Sequence, residues 1–277
     1  MQNKGIEVTL GGVVLKQKDF EIDANIIFSS NRNKITKLPG GAVTISNQFT
    51  AGDGVAFIEG QPASVFIGRI YARNPDGSLL LTPQGFPQSE RGVQLSTTDP
   101  TLYTVGRAAD GQPSGAFLRT VIGNPNPDWT GSFSSNVRYK NLSFHFLLDA
   151  VQGVNVFNAD KRTRNNVGIG DVAEAELRGT SPRGSVFALV PIEEYRVDDG
   201  SFVKLREISL SYRLPSMVKG MSNFTLGVSG RNLISWDKYN GYDPETNAGG
   251  NSDRLRGTDF GNVPIPRSYQ VSLSASF

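Results

Sequence analysis

His145 is the only histidine, and there is no cysteine. A His-based nucleophilic triad and a His/Cys zinc site are therefore nearly excluded. His145 shares the parity of Ser143 and Asp149 in an alternating segment. Asp149 lies four residues along, roughly 13 Å away at strand rise, so the two cannot pair. His145 thus reads as a solvated residue rather than a base. Carboxylates are plentiful, but no spacing singles out the pair that glycoside hydrolysis needs. Asp243-Pro244-Glu245 has cation-ligand residue types, yet no regular series of oxygen ligands follows, and it reads as loop chemistry. Gly123, Gly200, Gly241 and Gly249-Gly250 read as turn residues, because none joins a strand to a long helix as a phosphate cradle does. The sequence predicts no catalytic residue, no metal and no cofactor. Trp236, Tyr239 and Tyr242 remain. They follow an alternating segment and suit either an interfacial girdle and loop bracing or stacking on sugar rings.

The elements that position these residues are strands, since period two dominates and helical periodicity is nearly absent. The last segment is the clearest case. Tyr269, Val271, Leu273, Ala275 and Phe277 alternate with Ser268, Gln270, Ser272, Ser274 and Ser276. Phe20, Ile22, Ala24, Ile26 and Phe28 alternate with Glu21, Asp23 and Asn25, with Ile27 breaking the polar row. Leu142, Phe144, Phe146 and Leu148 repeat the pattern, as do Ile208 to Leu214 and Phe224 to Ser229. Weaker copies are Ile6, Val8, Leu10 and Phe133, Val137, Tyr139. These seven candidates have roughly 9–13 residues each, longer than the ~5–6 of globular strands and near the ~9–11 that cross a bilayer at a tilt.

Connections fall into two populations. Lys16 to Asp19, Lys140-Asn141 and Pro215 to Asn223 are short, whereas Asn31–Asp128, Gln152–Ser201 and Asp237–Arg267 are long. Counting back from Phe277, all tight turns lie at one end and all long loops at the other, the asymmetry of outer-membrane barrels. By parity, Val65 to Tyr71 belongs to a strand inside an external excursion, and Asp171 followed by Val172 to Leu177 reads as a capped short helix. Glu7, Asp23, Arg138, Asp149, Glu207, Arg213 and Arg231 share the polar parity and should face a watery lumen, since a Lys or Arg facing lipid costs about 2–4 kcal/mol.

Composition agrees. The chain has 277 residues, 31 of them Gly, with 38% hydrophobic residues and a net charge of +2. Interspersed charges give no case for a nucleic-acid surface. No apolar run is long enough for a membrane helix, a limit that does not apply to a barrel strand. No signal-like segment opens the chain at Met1, which reads either as a cytoplasmic start or as a piece whose export signal lay upstream.

Several segments then resemble the C-terminal third of the SusC/RagA family of TonB-linked outer-membrane transporters. They are Asn3 to Val8, Asn31 to Leu38, Ile122 to Trp129, Tyr139 to Leu142, Asp199 to Pro215, Arg231 to Trp236 and Tyr239 to Glu245, in family order. The resemblance implies that 1–277 is the C-terminal portion of a large barrel whose N-terminal plug and earlier strands are absent. The expected fold is therefore all-β: an open, curved, antiparallel outer-membrane barrel fragment that does not transport alone. The implied activity is import of oligosaccharides or peptides, with no enzyme chemistry. The implied partners are the rest of the barrel and plug, a SusD-like surface lipoprotein, the TonB complex and outer-membrane lipid. A terminal aromatic on an alternating last strand makes Phe277 the expected assembly signal. Two other readings compete: a secreted β-sandwich that binds carbohydrate or acts as an adhesin, and a small passive pore.

Overall fold

The computed structural model describes residues 1–47, 52–215, 222–250 and 255–276. Seven strands form one antiparallel sheet: β1 (Gln2–Lys16), β2 (Phe20–Lys34), β3 (Trp129–Tyr139), β4 (Leu142–Gln152), β5 (Phe202–Arg213), β6 (Ser222–Asp237) and β7 (Ser268–Ser276). They lie side by side in chain order. Each of the seven alternating segments is one strand, although β1 and β2 reach 15 residues and β6 reaches 16, beyond the expected range.

Register fixes the two faces, because directly opposed residues point the same way. Ile22, Val137, Phe144, Leu210, Val228 and Val271 face one another in turn across six strands. The neighbouring row, on the opposite face, is Asp23, Asn136, His145, Ser209, Ser229 and Gln270. A sandwich would bury the apolar row beneath a second layer. Here Tyr269, Val271 and Leu273 are 76%, 74% and 66% exposed. The fold is an open antiparallel outer-membrane barrel fragment, and β1 and β7 are its two outer strands.

Three short connections lie at one end of the wall, while segments 35–128, 153–201 and 238–267 lie at the other. The buried core is in these loops. The first loop holds a four-stranded sheet of Ala42–Asn47, Gly52–Ile58, Val65–Arg69 and Arg119–Gly123, and a smaller three-stranded sheet. Both are separate from the wall, as parity required. A third small sheet joins Asn155–Asn158 and Val197–Asp199 of the second loop to Thr258–Asp259 of the third. The rings of Phe66 and Phe157 meet at a tilt, their centroids 5.7 Å apart, in a buried cluster with Val55 and Ala159, and Leu255 and Phe260 pack against it. All three loops thus share one core, which holds the cap together as burial of apolar surface does in a small domain.

Two local expectations need correction. The helix Asp171–Leu177 forms, but Asp171 does not cap it: the N-cap is Gly170, with no side-chain cap. Of the first turn's N–H groups, Asp171 Oδ1 accepts only from that of the adjacent Val172, and Asn165 Oδ1 of a neighbouring helix accepts from both Val172 and Ala173. Gly123 is not a turn residue but ends a strand, where a Cβ would stand 2.9 Å from Val197 and 3.0 Å from Phe66. Its role is close packing, which the sequence pattern does not reveal.

Candidate functional site

On the polar face, charges meet in cross-strand pairs that start at the short-turn end. Arg138 donates to Glu21 at 2.8 Å, and Lys16 meets the same carboxylate at 3.1 Å. Next, Asn136 donates to Asp23 at 2.7 Å and lies 2.7 Å from His145 Nδ1. His145 therefore stands in a polar row on the expected face, away from Asp149.

The densest cluster sits near the loop end of β5. Against β4, the adjacent Leu147 and Leu148 pair with Glu207 and Leu205, leaving Arg206 as the extra residue of a bulge, while against β6 it stands opposite Asn232 and Leu233. Arg206 and Glu207, adjacent in sequence, consequently both address the polar face. Arg206 donates to Asp149 Oδ2 at 2.8 and 3.1 Å and forks onto Glu245 at 2.5 and 2.6 Å. Lys204 Nζ donates to Asp243 and Glu245, each at 2.6 Å. The Asp243-Pro244-Glu245 turn thus ties the third long loop to two cations of the wall. Asp243 also accepts from the backbone N–H of Ile265 at 3.3 Å, catching the loop's return segment. Lys204 and Asp243 are both buried, a placement that charges tolerate only when paired.

Burial alone would raise Asp243, but hydrogen bonds from Lys204 and the Glu245 N–H outweigh it and hold the carboxyl below its usual range. Glu245 is lowered in the same way, burial being outweighed by hydrogen bonds from Arg206 and Lys204. Among the described residues, no group of three or more His, Cys, Asp or Glu side chains is arranged to hold a metal. Below the latch, a groove of about 620 Å³ lies between the wall's polar face and Ile265-Pro266. Ile27 and Leu147 give it an aliphatic strip, while Ser132, Ser134, Arg206 and Arg231 supply polar groups.

The three aromatics singled out from the sequence separate in space. Trp236 lies opposite Val203 on the apolar face at the loop end. Tyr239 is buried and donates to Asp259 at 2.6 Å, with its ring so close to Gly241 that a Cβ there would sit 2.3 Å from it. Burial pushes the Tyr239 hydroxyl up, and the Asp259 carboxylate adds to the effect. Tyr242 is 71% exposed. Phe277 lies outside the described residues.

Aromatics also bracket the apolar face. Tyr139 and Tyr212 lie near the short turns, and Trp129 and Trp236 near the loops. Tyr139 and Trp129 are ten residues apart on β3, about 33 Å along a strand at ~3.3 Å per residue. A ~40° tilt reduces that to roughly 25 Å, the height of a barrel's lipid-facing band. This geometry matches known barrels. The chain aligns over 99% of its length with the RagAB peptide transporter, at a TM-score of 0.72 and 23% identity, covering 29% of that chain. The fold is that of one part of this barrel's wall and its loops.

Sequence comparison agrees along the whole chain. TonB-dependent receptor P3 of Formosa agariphila is 27% identical over 301 residues, and receptor P26 of the same organism is 28% identical over 302. TonB-dependent receptor SusC of Bacteroides thetaiotaomicron is 25% identical over 294 residues. Each alignment covers 100% of this chain but only 29%, 29% and 26% of the receptor, so the chain spans under a third of these relatives. No family model matches. The resemblance carried by the seven motifs holds, and these relatives are receptors rather than enzymes. Sequence reasoning missed Lys204, Arg206 and Asp149 as partners of the Asp243-Pro244-Glu245 turn. The signal was there: Arg206-Glu207 places two charges in succession within an alternating strand, which spells a bulge.

Proposed function

We propose that this chain is wall and loop cap of a TonB-dependent outer-membrane transporter that imports oligosaccharides or peptides. It would be the C-terminal portion of the barrel and would work only with the remaining strands and plug. The observation that carries the reading is the two-faced sheet, with a mainly apolar exterior bracketed by aromatics and a charge-paired interior. Soluble monomers rarely expose an apolar patch larger than ~300–600 Å², whereas this one runs across all seven strands. Lipid would cover it. The polar groove beneath the third loop would face the solute path.

In this reading the short turns face the periplasm and the loop cap faces outward, where a SusD-like lipoprotein would sit on the external loops. The TonB complex would engage the N-terminal part. Trp236 belongs to the outer aromatic girdle and Tyr239 braces the cap. Exposed Tyr242 is the one of the three that can stack on a sugar ring. Phe277 is the assembly signal read by the barrel-insertion machinery, so deleting it from the receptor should lower the folded, heat-modifiable form. The main experiment is insertion into phospholipid vesicles followed by gel migration with and without heating. A heat-modifiable, membrane-embedded receptor is expected, and a soluble form that needs no detergent would refute the proposal.

A further inference from the structure

The short-turn rim carries a feature that solute passage does not use. A groove of about 790 Å³ lies between the β1–β2 turn and the β3–β4 turn, reaching Tyr212 on β5. Lys16, Lys18, Arg138 and Lys140 line it against Asp19 and Glu21, four cations to two anions, a local charge of +2. The whole chain, with 28 cations and 26 anions, also nets only +2. Glu21 is engaged by both Lys16 and Arg138. Lys18 and Lys140, by contrast, form no salt bridge with a described carboxylate. Lys140 Nζ lies 5.4 Å from the centroid of the Tyr139 ring, which heads the apolar row with Phe20, Leu142 and Tyr212. The Lys140 ammonium therefore sits beside a strip of exposed aromatic and aliphatic surface that continues down the wall, and Lys18 lines the same groove.

That order, cation then aromatic then aliphatic, matches a phospholipid read from phosphate to acyl chain. We infer that Lys18 and Lys140 form a site for the phosphate of an anionic phospholipid, whose acyl chains lie along Tyr139, Leu142 and Tyr212. Charge complementarity selects the headgroup, and continuity with the apolar face supplies the chains. The inference rests on the membrane-wall reading above. A lipid held here would fix the height of the rim in its leaflet.

The test is native mass spectrometry of the full receptor in detergent, titrated with phosphatidylglycerol, phosphatidylethanolamine or inorganic phosphate. Phosphatidylglycerol adducts should survive best, and each of Lys18→Gln and Lys140→Gln should reduce them about fivefold. Lys34→Gln, at the opposite end of β2, should leave them unchanged. Equal adducts in wild type and the double variant overturn the site, as does displacement of the lipid by inorganic phosphate alone or an equal loss in Lys34→Gln. Vesicle insertion separates the two failures. A heat-modifiable receptor with unchanged lipid retention overturns the lipid site only, while a receptor that never becomes heat-modifiable overturns the wall reading and the site together.

Discussion

Arg206 and Glu207 are sequence neighbours on the same face of the wall. The bulge in β5 makes this possible, and it puts Arg206 between Asp149 of the wall and Glu245 of the third loop. Without the extra residue, strict alternation would turn one of these charges toward the apolar side, where lipid penalises a charge by an amount that falls from about 2–4 kcal/mol for an Arg at mid-bilayer toward the interface. The bulge therefore converts a strand that could carry one inward charge at this height into one that grips a loop.

Lys204 is the buried end of that grip, so Lys204→Met should leave Asp243 without its cation. Removing one partner of a buried pair costs about 3–5 kcal/mol. Part of that cost should appear locally, as release of segment 238–267 from the wall. Limited proteolysis of the folded receptor is the readout, with cleavage in that segment rising in Lys204→Met and in Asp243→Asn. Identical cleavage kinetics in variant and wild type would show that the latch does not hold the loop.

Ser209 and Leu210 are adjacent, and register assigns them to opposite faces. Leu210→Arg should destabilise the receptor in membranes by about 2–4 kcal/mol, while Ser209→Arg should cost little, since the lumen can hydrate it. Urea unfolding in vesicles, monitored by heat-modifiable migration, measures the difference. Equal effects of the two substitutions would sink the assignment of faces.

The wall was legible because its information is local: a side-chain period of two needs only neighbouring residues to declare it. The sorting of short and long connections followed from parity, and both hold in the structure. The loop cap was not legible, since its strands are too short to show a period and its core joins residues as distant as Phe66, Phe157 and Leu255. Nothing local marks Asn165 as the residue that satisfies the turn after Gly170, or Gly123 as a packing glycine. Asp243 and Glu245 were visible as charges in a loop, but their partners lie across a strand register that only the folded sheet defines.

Tyr239 and Tyr242 differ in burial, and their substitutions should separate accordingly. Tyr239→Phe removes the hydrogen bond to the Asp259 carboxylate, an interaction of the charged type worth about 1.5–3 kcal/mol. Tyr242→Ala, at an exposed position, should stay within about 0.5 kcal/mol of wild type. Thermal unfolding of the detergent-solubilised receptor compares them. If Tyr242→Ala is the more damaging, the brace has been assigned to the wrong tyrosine.

Acid should weaken the latch, and the sign can be derived residue by residue. Asp243 and Glu245 have folded pKa values below their ordinary range, so the unfolded chain takes up their protons first as pH falls. Their stabilisation is complete above the ordinary carboxylate values of about 4 and is lost as pH drops below them. Asp259 behaves oppositely. Burial raises it, with Asp160 and Asp243 adding repulsion, and the Tyr239 hydroxyl only partly offsets them. Its ionisation therefore costs stability as pH rises through the raised value, and an amide there would still accept from Tyr239. Asp259→Asn should match or exceed wild-type stability near pH 7, whereas Asp243→Asn should lose stability there and show a flatter decline toward about pH 3. Thermal midpoints measured across that range decide it, and a wild-type acid limb retained unchanged in Asp243→Asn would mean that the latch carboxylates are not what acid attacks.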